Sequence, residues 1–381
     1  MISIFRSTPL LYAVALLGLI SSNPSAAQSV SCTTPVADTS TVEPVHMVFG
    51  GDIVLGNSFV VEHIPQSWDD SYFAGVRSIL KHTDLAFGNF EDTLTDNEKT
   101  SKNPASGRAY AFRSPPQYAE LLYKEGFRVV NVANNHANDF GDIGFKDTLN
   151  NLKQAGIAVT GIRDEPATLS IRGLNIAMLG FAYVGRFNTV FDLDAGAELV
   201  RQAKARGDFV IVTFHGGAEG SPAIWNGNED EEFLGENRGN TVAFSHAMID
   251  AGADMVVGHG PHVLRAAECY QGKPIVYSLG NFVGVGGLSA KNFAAVSALL
   301  QVDVAQDGNI QNINLVPLRF DERKLPQLDP REYGTRLVNY LGQHAHFDGT
   351  FIEFPLNSND TQNKFLAWFN ANNPPLLSAE K

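Results

Sequence analysis

Aspartate, glutamate, asparagine and histidine recur in this chain directly after short apolar runs, and together they make a set of metal ligands. Val45–Phe49 leads into Gly50-Gly51-Asp52, and Asp84–Phe87 into Gly88-Asn89-Phe90-Glu91. Val129–Ala133 leads into Asn134-Asn135-His136, Phe209–Phe214 into His215, and Asp254–Val257 into Gly258-His259-Gly260-Pro261-His262. Carboxylates suit hard divalent ions and imidazoles suit borderline ones, so a mixed set points to Zn, Mn or Fe. Asp52 and Glu91 would supply oxygens, with Glu91 placed to bridge two ions. Asn135 offers an amide oxygen, and His215, His259 and His262 offer nitrogens. A two-ion site polarises the scissile group and acidifies a water. His136 is then free to protonate a leaving group, with Asp139 orienting its ring.

Taken singly, each of these residues suits a structural hydrogen bond better than a metal. Their placement at successive strand ends reverses that reading. His259 serves a strand-end turn as readily as an ion. Asp139 and Glu219 either support the ligands or act as caps and surface groups.

The apolar runs are rich in Val, Ile and Phe and are broken by Gly or Asn, as buried strands are. In open α/β sheets, ligands bind beyond the carboxyl ends of the strands. Helical spacing appears at Asp69–His82, Pro116–Glu125, Ile143–Ala155, Gly196–Arg206 and Thr241–Ala251, with strands at Ala158–Gly161 and Asn175–Phe181 between them. This alternation predicts an α/β fold. Around Gly272 the pattern turns antiparallel, with strands at Val263–Tyr270, Lys273–Leu279, Ala294–Val304 and Ile310–Arg319. An Asp307-Gly308-Asn309 turn joins the last two. The sheets are therefore expected to be mixed. Residues 321–381 carry two helical stretches, Arg331–Ala345 and Gln362–Asn370, and read as a packing appendage to a 45–320 domain.

Residues 1–27 have the form of a secretory signal. Arg6 precedes an apolar Leu10–Ile20 run, and Ser25-Ala26-Ala27 fits a cleavage site. Export to the periplasm or cell surface is expected, or membrane anchoring if the segment is retained. Residues 28–44 have linker composition. Cys32 and Cys269, the only cysteines, either pair across the chain or stay as separate thiols. The net charge of −13 argues against nucleic acid as a partner.

Four further residues are candidates for substrate contact. Arg113 and Arg265 would clamp a phosphate or carboxylate, or else form structural ion pairs. Ser278 and Asn281 would line the cleft from the Tyr277–Phe282 turn. The long polar stretch Asp92–Phe112 reads as a lid or recognition loop, and Asn226–Arg238 invites the same reading, its acid run being a solvated surface.

The blocks GGDIVLGN, GNFEDTL, NNHANDFGDIGFKDTLNNL and GHGPHVLRAAECYQGKPIVYSLGNF resemble the CapA family of bacterial capsule (poly-γ-glutamate) synthesis proteins. That family belongs with the calcineurin-like metallophosphoesterases, and the likeness spans roughly Val45 to Phe320. It implies a four-layer α/β/β/α sandwich with a two-metal site at the sheet edge. By the same resemblance, Asp52, Glu91, Asn135, His215 and His262 match ligand positions and His136 the catalytic histidine. Two positions depart from the pattern. Val54 stands where phosphoesterases carry a histidine, and Gly260 stands where many members read His-Pro-His, which leaves a second ion short of ligands. The expected partners are an acidic polymer or phosphoester and membrane-bound capsule synthesis proteins. The competing reading is a non-catalytic component that binds or exports an acidic polymer; a third is a phosphatase of small substrates.

Overall fold

Alternation along the strands sorts the chain into layers. The structure, a computed structural model, describes residues 32–33, 42–58, 62–65, 69–103, 105, 110–345, 347 and 359–373. The expected leader, residues 1–27, lies outside them, as does most of the 28–44 linker. The first half runs β1 (Val45–Val54), α1 (Arg77–Lys81), β2 (Leu85–Phe90), α2 (Tyr118–Lys124), β3 (Phe127–Asn131), α3 (Gly141–Gln154) and β4 (Ala158–Thr160). Then come β5 (Ala167–Ile171), β6 (Leu174–Ala182), β7 (Asn188–Thr189), α4 (Leu193–Ala205) and β8 (Phe209–His215). A hairpin of β9 (Glu231–Phe233) and β10 (Glu236–Gly239) precedes α5 (Thr241–Asp250) and β11 (Met255–His259). The chain closes with β12 (Ala267–Tyr270), β13 (Lys273–Val276), β14 (Asn281–Gly284), β15 (Val296–Val304), β16 (Ile310–Phe320) and β17 (Pro326–Leu328). Helices α6 (Tyr333–His344) and α7 (Asn359–Asn372) follow.

One sheet is ordered β17-β16-β15-β1-β2-β3-β4, with β14 also on β1, and the other β12-β13-β11-β8-β6-β5, with β7 on β6. Strands β1 to β4 run parallel, as do β6, β8, β11 and β13, while β15 to β17, β5 and β12 are antiparallel. Period-two alternation decides which side chains lie between the sheets. Met47 and Phe49 of β1 meet Met178 of β6, Ile211 of β8 and Val257 of β11 in one interior cluster. Their neighbours point outward: Val48, Ala86 and Val130 pack under α1 to α3, and Leu179, Val212 and Val256 under α4 and α5. The result is an α/β/β/α sandwich. Each such buried side chain contributes about 1.5–3 kcal/mol. Tyr333, Leu337 and Leu341 of α6 and Phe365 and Phe369 of α7 complete the interior cluster.

Three expectations differ from what forms. The stretch Asp69–His82 breaks into a 3-10 turn, Asp70–Phe73, and α1. Between them a Cβ at Gly75 would meet Gln327 Oε1 at 2.5 Å and the carbonyl of Pro326, so the backbones of the two segments are in contact. Strand Val263–Tyr270 begins only at Ala267, because before it Val263, Leu264 and Ala266 pack into the interior cluster and Arg265 is held by Glu231. Strands β5, β7, β9, β10, β14 and β17 have no counterpart among the expected elements. Of the two thiol alternatives, pairing is the one that forms: Cys32 bonds Cys269 of β12 across a separation of 237 residues. No helix among the described residues is long and apolar enough to cross a membrane.

Candidate metal centre

Register brings the polar residues into rows. Asp52 of β1 pairs with Asn89 of β2, and Asn89 with Asn131 of β3, while His259 of β11 pairs with His215 of β8. Residues in register on one face touch across a sheet. Asn131 Nδ2 accordingly donates to Asn89 Oδ1 at 2.9 Å, and Asn89 Nδ2 to Asp52 Oδ1 at 2.8 Å. The two rows meet where Asn89 Nδ2 lies 3.1 Å from His215 Nδ1 and His259 Nδ1 lies 3.6 Å from Asp52 Oδ1. A carboxylate only accepts, which fixes the Asn89 amide with its nitrogen toward Asp52.

Glu91 follows β2 directly, its N–H donating to Ile53 O at 3.0 Å, and its Oε1 is 3.2 Å from His215 Nδ1. His262 closes the cluster, with Nδ1 2.9 Å from Asp52 Oδ2, 3.8 Å from Glu91 Oε2 and 3.0 Å from Asn281 Oδ1. Asp52, Glu91 and His262 each bring one ligand atom within 4.8 Å of the others. Asn135 Oδ1, His215 Nε2, both His259 ring nitrogens and Glu91 Oε2 are buried without a hydrogen-bond partner among the described residues. Polar atoms in such numbers are rarely left unpaired unless a ligand completes them. This donor set fits a divalent cation.

The charges agree. Burial opposes ionisation of Asp52, but His262, His259 and His215 outweigh it and hold the carboxyl at about 2. Glu91 is pushed well above the ordinary carboxylate range, first by burial and then by Asp52. Burial keeps His259 at about 4 and His215 well below its usual value, so both imidazoles are neutral, the form that ligates. At His262 burial is overcome by Glu91 and Asp52, which raise it to about 10. His262 is therefore held protonated beside Asp52, and it would give up that proton on ligating an ion.

The two sequence departures have structural reasons. Val54 is fully buried against Phe112 and Leu288 and faces an apolar cluster. Gly260 has φ +113°, and a Cβ there would press on Gly216 O at 2.9 Å and Gly216 N at 3.0 Å. No histidine fits at that position. The chain instead brings His259 at the end of β11, and His262 in a left-handed conformation of φ 58°.

His136 stands beside this cluster. Its Nδ1 is 2.9 Å from Asp139 Oδ2, which also accepts from Phe112 N at 2.9 Å, and Lys102 Nζ is 3.1 Å from Asp139 Oδ1. Asp139, fully buried, accepts the Nδ1 proton, which leaves Nε2 for chemistry. The ring lies 4.2 Å from that of Phe112 and borders a cleft of ≈ 780 Å³. Tyr183, Phe233 and Arg238 line the same cleft, and the Arg238 guanidinium stacks 4.2 Å over Tyr183.

Residues 46–285 match the family described as bacterial capsule synthesis protein PGA_cap. The chain belongs to that family. Among its capsule-synthesis relatives, the PGA biosynthesis protein CapA of Bacillus subtilis (strain 168) is 32% identical over 72% of this chain and 72% of its own. The capsule biosynthesis protein CapA of Bacillus anthracis is 30% identical over 74% of this chain and 68% of its own. A solved 5'-nucleotidase precursor from Thermus thermophilus superimposes with a TM-score of 0.39 at 12% identity, over 79% of this chain and 58% of that one. That likeness is too loose to carry weight.

In this PGA_cap member none of the four expected substrate contacts lines the two clefts beside His136. Arg265 is fully buried, both terminal nitrogens held by Glu231 at 2.7 and 2.6 Å, so it takes the ion-pair alternative. Arg113 is held near Ser58, the Thr95 carbonyl and Glu98, and it lies outside the lining of the cleft. Ser278 is buried and its Oγ accepts from Gly280 N at 3.2 Å within the turn. Asn281 touches His262 rather than open space, and its amide donates to Ser289 O at 2.9 Å. The acid run is a solvated surface at Glu229, Asp230 and Glu232, while Glu231 turns inward as the partner of Arg265. Sequence reasoning missed Asn89, Asn131 and Arg238. A lone Asn inside an apolar run is the available signal for the first two; Arg238 had none.

Proposed function

We propose that this protein is an exported, metal-dependent hydrolase of capsule, poly-γ-glutamate or other cell-envelope polymer metabolism, with a phosphoesterase-type site. The observation that carries the reading is the group of orphaned buried donors around Asp52, Glu91 and His262, set beside a His136–Asp139 pair that opens on a cleft. The Cys32–Cys269 bond supports export, since such bonds persist in oxidising compartments. The family's description supports the polymer.

Asp52, Glu91 and His262 would hold the ion, Zn, Mn or Fe, with His215, His259 and Asn135 as further donors. When bound, it supplies Lewis-acid polarisation and lowers the pKa of water. Asn89 holds the Asp52 carboxylate in place and aligns His215. Asp139 keeps the Nδ1 proton of His136 and stabilises its imidazolium, so His136 gives its Nε2 proton to the leaving oxygen or nitrogen of a phosphoester, amide or isopeptide. The apolar contact with Phe112 keeps the ring from turning.

A second reading, a non-catalytic component that binds an acidic polymer through its metal, is favoured by one feature. Val54 and Gly260 deprive a second ion of two nitrogens, and one ion is enough to anchor a carboxylate. Assay of the metal-loaded protein on a generic phosphodiester and on poly-γ-glutamate separates the two. The hydrolase reading expects His136→Ala to lower turnover about 10²–10⁴-fold. Bound metal with no His136-dependent hydrolysis of either substrate favours the binding role.

A further inference from the structure

The ligand cluster does not lie at the blind end of a pocket. Besides the ≈ 780 Å³ cleft beneath the β9–β10 hairpin, a second cleft of ≈ 430 Å³ follows the loop after β14. Tyr110, His136, Glu219 and Phe233 line both, so the two spaces meet at the proton donor. His262 lines the second, and Glu219, its Oε2 3.9 Å from His262 Nε2, lines both, so the cluster borders the two spaces. A small substrate reacting at this waist would leave one space filled only with water.

The second space carries its own cation. Lys291 is exposed there and has no carboxylate within ion-pair distance among the described residues. Lys324, close enough to feel the charge of Lys291, donates its Nζ to Leu288 O at 2.6 Å rather than to an acid. In the first space the cations are already matched, Arg238 by Glu219 and Glu236 and Lys102 by Asp139. Its outer wall is Leu234 at the hairpin tip, 74% exposed.

We propose that an extended polyanionic chain passes through both spaces, so that the bond presented to His136 is internal, and that Lys291 anchors an anionic group of that chain on the side away from the hairpin. Hydrolysis there breaks the internal bond with one water, its hydroxyl going to one new end and its remaining hydrogen to the other, and consumes nothing else. The inference rests on the reading of the site as one for an acidic polymer.

Two charge-introducing variants test it, one in each space and neither among the ligands or the proton donor: Lys291→Glu and Leu234→Glu. Fluorescence anisotropy of labelled oligo-γ-glutamates, short and long, is measured on the metal-loaded full chain, with phosphodiester turnover as control. Long oligomers are expected to bind more tightly than short ones, and each variant to weaken the long oligomer about fivefold while control turnover stays unchanged. Length-independent binding, or sensitivity to only one variant, means that the chain occupies one space and overturns the inference while leaving the polymer reading intact. If no oligomer binds wild type, the polymer reading itself falls, and the inference with it.

Discussion

Replacing Arg265 with methionine isolates the contact that fastens the hairpin over the cleft. The residue is fully buried, with two guanidinium nitrogens 2.7 and 2.6 Å from Glu231, the first residue of β9. Methionine keeps much of the stem's volume and removes the charge. Glu231 is then left with Ala218 N at 2.9 Å and the Thr241 hydroxyl at 3.3 Å. Removing one partner of a buried pair costs about 3–5 kcal/mol. The 12% exposure of the Glu231 side chain and its two remaining donors put this case near the lower end, about 3 kcal/mol. At about 2 °C per kcal/mol for a chain of this size, Tm falls by roughly 6 °C. Glu231→Gln alone should be similarly costly, and the double variant should recover about 1–3 kcal/mol of coupling. Urea unfolding followed by tryptophan fluorescence gives all three values. If every variant lies within about 0.5 kcal/mol of wild type, the pair is not structural and Arg265 returns as a substrate candidate.

Other substitutions probe the site's frame. Gly260→Ala forces a side chain onto the Gly216 backbone at φ +113° and should cost about 1–3 kcal/mol in thermal melts, with reduced metal content as His259 and His262 shift; a variant with unchanged Tm and metal would remove the steric argument. Cys32→Ser with Cys269→Ser should lower stability by about 2–4 kcal/mol, and a reductant should bring wild type to the same Tm while leaving the variant unmoved. Asn89→Ala unpairs Asp52 Oδ1 and leaves Asn131 Nδ2 only the Ala133 carbonyl at 3.1 Å, and metal affinity measured by chelator competition should fall about 10–100-fold. Wild-type affinity in that variant would take Asn89 out of the site.

The strand ends were legible because they follow from local pattern, and the layer order because the sequence blocks resemble the CapA family. Asp52 and His215 stand where the apolar runs of β1 and β8 stop, whereas both faces of those strands are apolar, so the runs alone do not say which face is interior. What was not legible depends on contacts distant in sequence. The helix expected over Asp69–His82 breaks because Gly75 meets Gln327, some 250 positions on. In the run Asp230–Glu236 the other acids are solvated and only Glu231 turns inward onto Arg265, 34 positions on, and the Leu234-Gly235 turn gives only a weak hairpin signal. Asn89 and Asn131 matter through register, which sequence spacing alone does not fix.

Everything proposed for this protein depends on residues from five strand ends forming one metal site. Elemental analysis of the purified protein, beside Asp52→Ala and His215→Ala variants shown by circular dichroism to be folded, tests it most directly. Stoichiometric metal in wild type and its loss in both variants is the expected result. Metal content equal to wild type in both would contradict the composite site outright.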